Sequence, residues 1–144
     1  MADMFLEKFR ALVPKYLEDQ WDQADGLTRE ELAESLAEAK VQIPLVLEEF
    51  YLALGNNEDF TEAYHFFFDP DELEVEDGYL LFLEDAEEKF VWGFKESQTD
   101  VPDPIVYRRN NAKGRWVSEE GTFSEFVFDL FEWVFEELAT ELED

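Results

Sequence analysis

A run of carboxylates near the middle of the chain is the densest group of side chains that could do chemistry. Its members are Asp69, Asp71, Glu72, Glu74, Glu76 and Asp77. An EF-hand calcium loop needs oxygen ligands at alternate positions and a glycine at the sixth. Here Leu73 stands at the fifth position and Glu74 at the sixth, so the run is not an EF-hand and only weak, nonspecific cation binding stays open. We predict neither a specific metal site nor a cofactor.

Other catalytic chemistry lacks the residues it requires. His65 is the only histidine and the chain contains no cysteine, so no thiolate nucleophile or cysteine-ligated metal can exist. Ser97, Ser118 and Ser124 have no plausible base beside them in the sequence. A glycine-rich phosphate loop and a nucleophile elbow are also absent. We therefore expect a protein that is not an enzyme.

The charge of the chain indicates the kind of partner it could meet. The 38 Asp and Glu residues outnumber the 11 Lys and Arg, which gives a net charge of −27 over 144 residues. Such a field repels nucleic acids and anionic membranes and attracts basic proteins at rates that fall with salt. The acidity could instead keep a Phe-rich protein soluble or reflect a saline source, and both alternatives stay open.

The ends and the hydrophobicity of the chain bear on its location. The first residues lack a basic segment followed by an apolar run, and no apolar stretch approaches the roughly 18 residues of a membrane span. Hydrophobic residues make up 46% of the chain, and 17% of all residues are aromatic, which is enough to form a folded core. We expect one domain covering residues 1–144, located in the cytoplasm.

Helical patterns fill the first third of the sequence. Apolar residues recur at helical spacing over residues 4–17, but Pro14 interrupts them, so one broken helical segment is predicted. Thr28 and Glu31 form a capping box that opens a helix ending near Lys40. A further helix begins with Pro44 at its first position and stops at Gly55.

The middle of the chain changes to the two-residue period of strands. Alternating residues 73–76, the turn Asp77-Gly78 and an apolar run over 79–83 predict a hairpin. Residues 90–94 and 103–107 are rich in aromatic and β-branched residues and predict two central strands, and a short strand follows at 115–117. Gly93 inside a strand indicates a bulge or a close backbone approach.

The chain closes with one more helix. Thr122 and Glu125 form a second capping box, and apolar residues follow at spacings of three and four up to Leu138. Phe128, Trp133 and Phe135 widen this apolar surface, so the helix is either buried on several sides or offers an aromatic strip to a partner. The expected fold class is α+β, with N-terminal helices, a mixed or antiparallel sheet of about five strands and a C-terminal helix packed on the sheet.

Several of these motifs, in this order, resemble the SUKH superfamily. The matching residues are Ile43-Pro44, Phe50-Tyr51, Gly55, Asp69-Pro70, Asp77-Gly78-Tyr79-Leu80, Trp92-Gly93, Asp103-Pro104-Ile105-Val106-Tyr107, Trp116 and the helix start at 123–126. The resemblance covers residues 27–138, so residues 1–26 would be an extra N-terminal helical segment and residues 139–144 an acidic tail.

The resemblance implies a function for the acidic surface. This superfamily includes bacterial immunity proteins and a yeast cell-wall-synthesis regulator, which use the fold as a protein-binding scaffold without catalytic residues. It implies an immunity protein that occludes the basic active site of a toxin domain, most simply a nuclease. The alternative is a regulatory scaffold that binds an endogenous partner. The sequence does not indicate an oligomeric state.

Two sets of residues follow from this interpretation. The expected partner-binding residues are Glu72, Glu74, Glu76, Asp77, Glu84, Asp85, Glu87, Glu88, Glu96 and Asp100. The expected structural residues are Pro44, Gly55, Trp92, Gly93, Asp103, Pro104, Tyr107 and Trp116, with Asp103 as a turn cap. Buried aromatic residues and turn formers are more often architectural than contacting, whereas exposed carboxylates can meet a basic partner.

Overall fold

A computed structural model describes residues 5–17, 19–62 and 65–138 of this chain. The predicted α+β architecture is confirmed. The helices are α1 (Leu6–Arg10), α2 (Leu12–Tyr16), α3 (Arg29–Ala39), α4 (Leu45–Leu54), α5 (Glu58–Thr61) and α6 (Phe123–Glu132), which continues as a π-helix over Trp133–Leu138. The strands are β1 (Phe66–Phe67), β2 (Glu74–Glu76), β3 (Tyr79–Glu84), β4 (Phe90–Lys95), β5 (Ile105–Asn110) and β6 (Arg115–Thr122). The predicted acidic tail at 139–144 lies outside the described residues.

The sheet has the order β1-β3-β4-β5-β6, and β2 pairs with β3 beside β1. All five strand pairs are antiparallel, so the described sheet is not mixed, and it has six strands where about five were expected. The last strand runs to Thr122, well beyond the short strand predicted at 115–117. One edge of the sheet is shared by β1 and β2, and the opposite edge is β6.

Gly93 lies at the centre of the sheet, where two backbones approach closely. A side chain there would come within 2.6 Å of the carbonyl oxygen of Leu80 on β3. The register of β3 against β4 shifts between Leu81 and Leu83, so the bulge lies opposite Gly93 and not at it. Phe82, the extra residue of the bulge, is fully buried.

Two predicted capping boxes set the starts of α3 and α6. The side chain of Thr28 accepts a hydrogen bond from the backbone of Glu31 at 3.1 Å, and Lys40 ends α3 in a left-handed conformation. The backbone of Thr122 donates to Glu125 at 3.1 Å, which opens α6. Pro44 differs slightly from its prediction, because it is the N-cap of α4 and precedes its first helical residue.

Aromatic rings fill the space between the sheet and the helices. Phe123, on the first turn of α6, packs against Phe50 of α4, Phe82 of β3 and Phe94 of β4, with ring centroids 5.1–5.9 Å apart. The N-terminal helices belong to this core, since Phe9 is fully buried and lies 5.6 Å from Phe50. Residues 5–17 are thus part of the domain and not an appendage to it.

Candidate functional site

Two of the predicted partner-binding carboxylates, Glu76 and Asp77, lie at the turn of the hairpin between β2 and β3. Asp77 and Gly78 both have positive φ, as a two-residue hairpin turn requires. Arg109 of β5 reaches across the sheet to Glu76 at 3.0 Å and to Asp77 at 3.5 Å. The same guanidinium lies 5.4 Å from the ring of Trp116. The chain's own arginine therefore neutralises part of the hairpin charge.

The acidic turn between β3 and β4 also uses its carboxylates within the chain. Asp85 accepts a hydrogen bond from the backbone of Lys89 and lies 3.5 Å from Nδ1 of His65. Glu87 pairs with Lys89 at 2.7 Å, and Glu88 has positive φ. Burial lowers the pKa of His65, although Asp85 acts in the opposite direction. Asp85 and Glu87 thus both have partners within the chain at this turn.

Two other predicted carboxylates, Glu72 and Glu84, meet at an open pocket of about 380 Å³. Glu58, Glu62 and Asp69 line the same pocket and were not among the predicted contact residues. We call these five carboxylates and the space between them the acidic pocket. Its walls include Phe66, which is 39% exposed. The pocket combines negative charge with an accessible aromatic ring.

Four separate segments position the acidic pocket. Pairing of β1 with β3 sets Phe66 opposite Glu84. Asp69 caps a 3₁₀ turn over Pro70–Glu72, and Glu72 accepts a hydrogen bond from the Asp69 backbone in return. The side chain of Asn57 caps α5, which carries Glu58 and Glu62 at its two ends. Strand β1 is two residues long and helix α5 is four residues long. Both are too short to show the repeating spacing of apolar residues from which strands and helices are predicted.

Partial burial and mutual repulsion both raise pKa values in the acidic pocket. Partial burial raises the pKa of Asp69, and Glu72, Asp71 and Glu62 raise it further. Partial burial likewise raises the pKa of Glu84, with added repulsion from Glu88 and Glu72. Among the described residues, no lysine, arginine or histidine lies within salt-bridge distance of the five pocket carboxylates. The pocket therefore has charge that the rest of the described chain does not balance.

The remaining predicted contact residues are spread along the surface. Glu74 of β2 lines a shallow depression beside the acidic pocket, together with Phe68, Glu72 and Glu84. Glu96 lies in the 3₁₀ turn after β4 and Asp100 in the loop that follows, and both are exposed. The structure brings Glu72, Glu74 and Glu84 together and leaves Glu96 and Asp100 apart from them.

The predicted structural residues lie in or against the core, with two exceptions. Trp92 is 5% exposed and donates its indole hydrogen to Glu119 at 3.3 Å. Asp103 accepts hydrogen bonds from the backbone and the hydroxyl of Ser124, at 3.0 and 2.5 Å, and so caps α6 from the loop before β5. Pro104 is buried, and its carbonyl accepts a bond from Phe123. Gly55 ends α4, where a side chain would come within 2.5 Å of the Tyr51 carbonyl.

Tyr107 and Trp116, the two exceptions, lie on the face of the sheet that carries no helix. Trp116 stacks on Tyr79 with ring centroids 4.0 Å apart, and Tyr107 lies 5.5 Å from Tyr79. Tyr107 is the register partner of Gly93 between β4 and β5, and the ammonium of Lys95 lies 5.0 Å from the Tyr107 ring.

Neither metal binding nor membrane insertion finds support in the described part of the chain. No group of three or more Asp, Glu or His side chains there could hold a metal ion. No helix among these residues is long and apolar enough to cross a membrane. Comparison with known proteins finds no family model and no curated protein that matches the sequence. The fold defines an α+β domain.

Proposed function

We propose that this chain is a non-enzymatic module that binds a basic protein through the acidic pocket. The observation that carries the proposal is the unbalanced charge of Glu58, Glu62, Asp69, Glu72 and Glu84 around one open cavity. Partial burial and the repulsion between neighbouring carboxylates both disfavour the charged forms, as the raised pKa values of Asp69 and Glu84 indicate. A cation from a partner relieves that repulsion on binding.

Arginine or lysine side chains of the partner fit the chemistry of the acidic pocket best. A volume of about 380 Å³ accommodates one or two long side chains. A guanidinium between Glu72 and Glu84 could bond both carboxylates and also meet the exposed ring of Phe66. Arginine is the better ligand because its planar fork binds carboxylates in pairs and stacks on aromatic rings.

The biological role that we propose is immunity against a basic toxin domain. The SUKH resemblance supplies this role, and the net charge of −27 agrees with it. A nuclease needs a positive groove for its substrate, and an acidic protein seated in that groove excludes the nucleic acid. On this proposal, the acidic pocket receives a cationic side chain from the rim of that groove and occludes the active site.

A growth-rescue experiment tests this role. The C-terminal toxin domain of a secreted protein encoded beside this chain would be expressed with the wild-type chain or with the triple variant Glu62→Gln, Glu72→Gln, Glu84→Gln. Rescue by the wild type and its loss in the triple variant are expected, because three pocket charges are removed without a large change in side-chain shape. A neighbouring domain that is toxic without rescue would contradict the immunity role and favour a regulatory partner.

The matched control removes the same charge elsewhere. Glu30, Glu34 and Glu38 lie on an exposed face of α3 and make no ion pair among the described residues. Their triple replacement by Gln should leave rescue intact and slow association only slightly, whereas the pocket variant should weaken binding about 100-fold or more. Equal losses in both variants would show that net charge alone, and not the acidic pocket, attracts the partner.

A further inference from the structure

Helix α6 and its π-helical continuation are apolar on three sides, and other described parts of the chain pack against two of these sides. Phe123, Val127 and Phe131 are buried in the core. Phe128 stacks on Phe9 of α1 at 5.4 Å, and Phe135 stacks on Tyr16 of α2 at 4.9 Å. The N-terminal helices therefore cover the strip around Phe128 and Phe135, so that strip is not free for a partner.

The third apolar side of this helix faces a groove. Phe126, Leu130 and Trp133 recur at spacings of four and three and form its floor, and Trp133 is 36% exposed. The groove measures about 400 Å³ and runs between α6 and the end of β6 at residues 119–121. Val117, which is 43% exposed, shares the face of β6 that Glu119 occupies and extends the apolar surface. We call this space the α6 groove.

Carboxylates form the rim of the α6 groove. Glu119 accepts a hydrogen bond from the indole of Trp92 at 3.3 Å and lies 3.9 Å from Arg108. Glu125 accepts a hydrogen bond from the Thr122 backbone in the capping box of α6. The side chains of Glu120 and Asp129 make no hydrogen bond or ion pair within the described part of the chain. An apolar floor with an acidic rim is complementary to a segment that is apolar on one face and basic on the other.

The end of β6 does not favour an added strand in this position. Glu120 has φ of 62°, and the register of β5 against β6 shifts between Ile105 and Tyr107. This irregularity interrupts the row of backbone groups that a partner strand would need for pairing. The floor residues instead follow one helix at spacings that a second helix can match.

We propose that the α6 groove binds a cationic amphipathic helix of a partner protein. Apolar side chains of that helix lie on Phe126, Leu130 and Trp133, and its lysines or arginines reach Glu120 and Asp129. This surface lies at the opposite edge of the sheet from the acidic pocket and does not depend on it. A partner can thus be held at two places, one mainly through charge and the other through apolar contact.

A peptide titration tests the proposal on the full chain. The probe is a synthetic helical peptide of about 14 residues, with Leu on one face and Lys on the other, and its control replaces every Leu by Gln at the same charge. In NMR spectra at about 150 mM salt, the probe should shift the indole signals of Trp133 and Trp92. The indoles of Trp21, which bonds the Ala53 carbonyl, and of Trp116, on the other face of the sheet, should stay in place.

Two variants of α6 separate specific docking from general attraction. Asp129→Lys should lower the affinity for the probe about fivefold, because it places a cation on the rim of the groove. Leu130→Gln should lower this affinity about tenfold through loss of apolar contact. Glu132→Lys makes the same charge change on the same helix outside the groove and should have little effect. If Leu130→Gln unfolds the protein, the pair Asp129→Lys and Glu132→Lys still decides the question.

Three results would overturn the proposal. The first is that the Lys-Gln control peptide binds as tightly as the probe, and the second is that all four indole signals shift by the same amount. The third is that Asp129→Lys and Glu132→Lys lower the affinity for the probe equally. The triple variant of Glu62, Glu72 and Glu84 keeps the α6 groove intact, so it should bind the probe as the wild type does. Failure of the α6 groove and failure of the acidic pocket are thereby distinguished.

Discussion

The two edges of the sheet are both acidic, but they use their carboxylates differently. At the β1 and β2 edge, five carboxylates surround the acidic pocket and none pairs with a cation among the described residues. At the β6 edge, Glu119 and Glu125 are hydrogen-bonded within the fold, and the space beside them has an apolar floor. The first edge holds like charges that repel one another, whereas the second uses much of its charge in structural hydrogen bonds.

This difference predicts different responses to salt and to partners. Binding driven by unbalanced surface charge weakens as salt screens it, while burial of apolar side chains changes little over the same range. A basic partner would therefore approach through the acidic pocket and gain salt-resistant contact in the α6 groove. The hairpin acids Glu76 and Asp77 contribute less to either edge, because Arg109 already holds them.

The largest expected effect comes from a core residue that packs between the helices and the central strands of the sheet. Phe123 is fully buried and packs on rings from α1, α4, β3 and β4. Phe123→Ala should lower the free energy of unfolding by about 3–5 kcal/mol, through lost burial and the cavity it leaves. Denaturant unfolding followed by circular dichroism and by tryptophan fluorescence measures this loss.

The same chemical change at the pocket wall serves as the control. Phe66 is 39% exposed, so Phe66→Ala should alter the free energy of unfolding by about 0.5 kcal/mol or less. Both variants should unfold in one transition that the two probes report at the same denaturant concentration. Two separate transitions would mean that the edges do not share one core.

Local sequence rules predicted the parts of this fold that depend on neighbouring residues. The capping boxes at Thr28 and Thr122 and the turn at Asp77 each need only three or four residues, so their patterns are visible in the sequence. Gly93 inside an aromatic strand predicts either a bulge or a close backbone approach, and the structure shows the close approach at Gly93 with the bulge on the facing strand.

The candidate site could not be predicted in the same way because its contacts are distant in sequence. Arg109 neutralises Glu76 from 33 positions away, and no spacing rule identifies that pair. The acidic pocket joins α5, β1, a 3₁₀ turn and the end of β3, so no local pattern places the predicted contact residues Glu72 and Glu84 beside the pocket residues Glu58, Glu62 and Asp69. A sequence with 38 acidic residues shows where charge is dense, but not which charges are already paired.

A smaller effect should separate the edges, because Asp103 supports only one of them. Asp103 accepts two hydrogen bonds from Ser124 on the first turn of α6, beside the β6 edge. Asp103→Ala should cost about 1–2 kcal/mol of stability and loosen the start of α6. Hydrogen exchange should accelerate at residues 123–127 and remain unchanged around the acidic pocket.

The exposed carboxylate three residues earlier is the matched control for this variant. Asp100 lies in the same loop, and its side chain makes no hydrogen bond or ion pair among the described residues. Asp100→Ala should therefore change stability by less than about 0.5 kcal/mol. If Asp103→Ala loosened both edges equally, the cap would support the whole domain and not α6 in particular.

The smallest expected effect is a change of local stability with pH, which has opposite signs at the two edges. The pKa of Asp69 is raised above 3.8 and that of Glu84 above 4.5, so the folded pocket binds protons more readily than the unfolded chain does. The stability that Asp69 and Glu84 contribute is fully present when the pH is below their ordinary pKa values. This contribution is lost as the pH rises through their raised pKa values in the folded protein. The pKa of Glu125 is lowered below 4.5 by hydrogen bonds from Thr122, so its contribution is present above 4.5 and is lost as the pH falls through the lowered value.

Acidification from about pH 7 to about pH 3 should therefore tighten the 3₁₀ turn at Pro70–Glu72 and then loosen the start of α6. Protection factors from hydrogen exchange report both regions in one sample. Glu84→Gln should reduce the change of protection with pH only in the 3₁₀ turn. Glu125→Gln should reduce this change only at the start of α6. A change of the same sign at both edges would mean that the total charge of the protein, and not the local environment of each carboxylate, governs its response to acid.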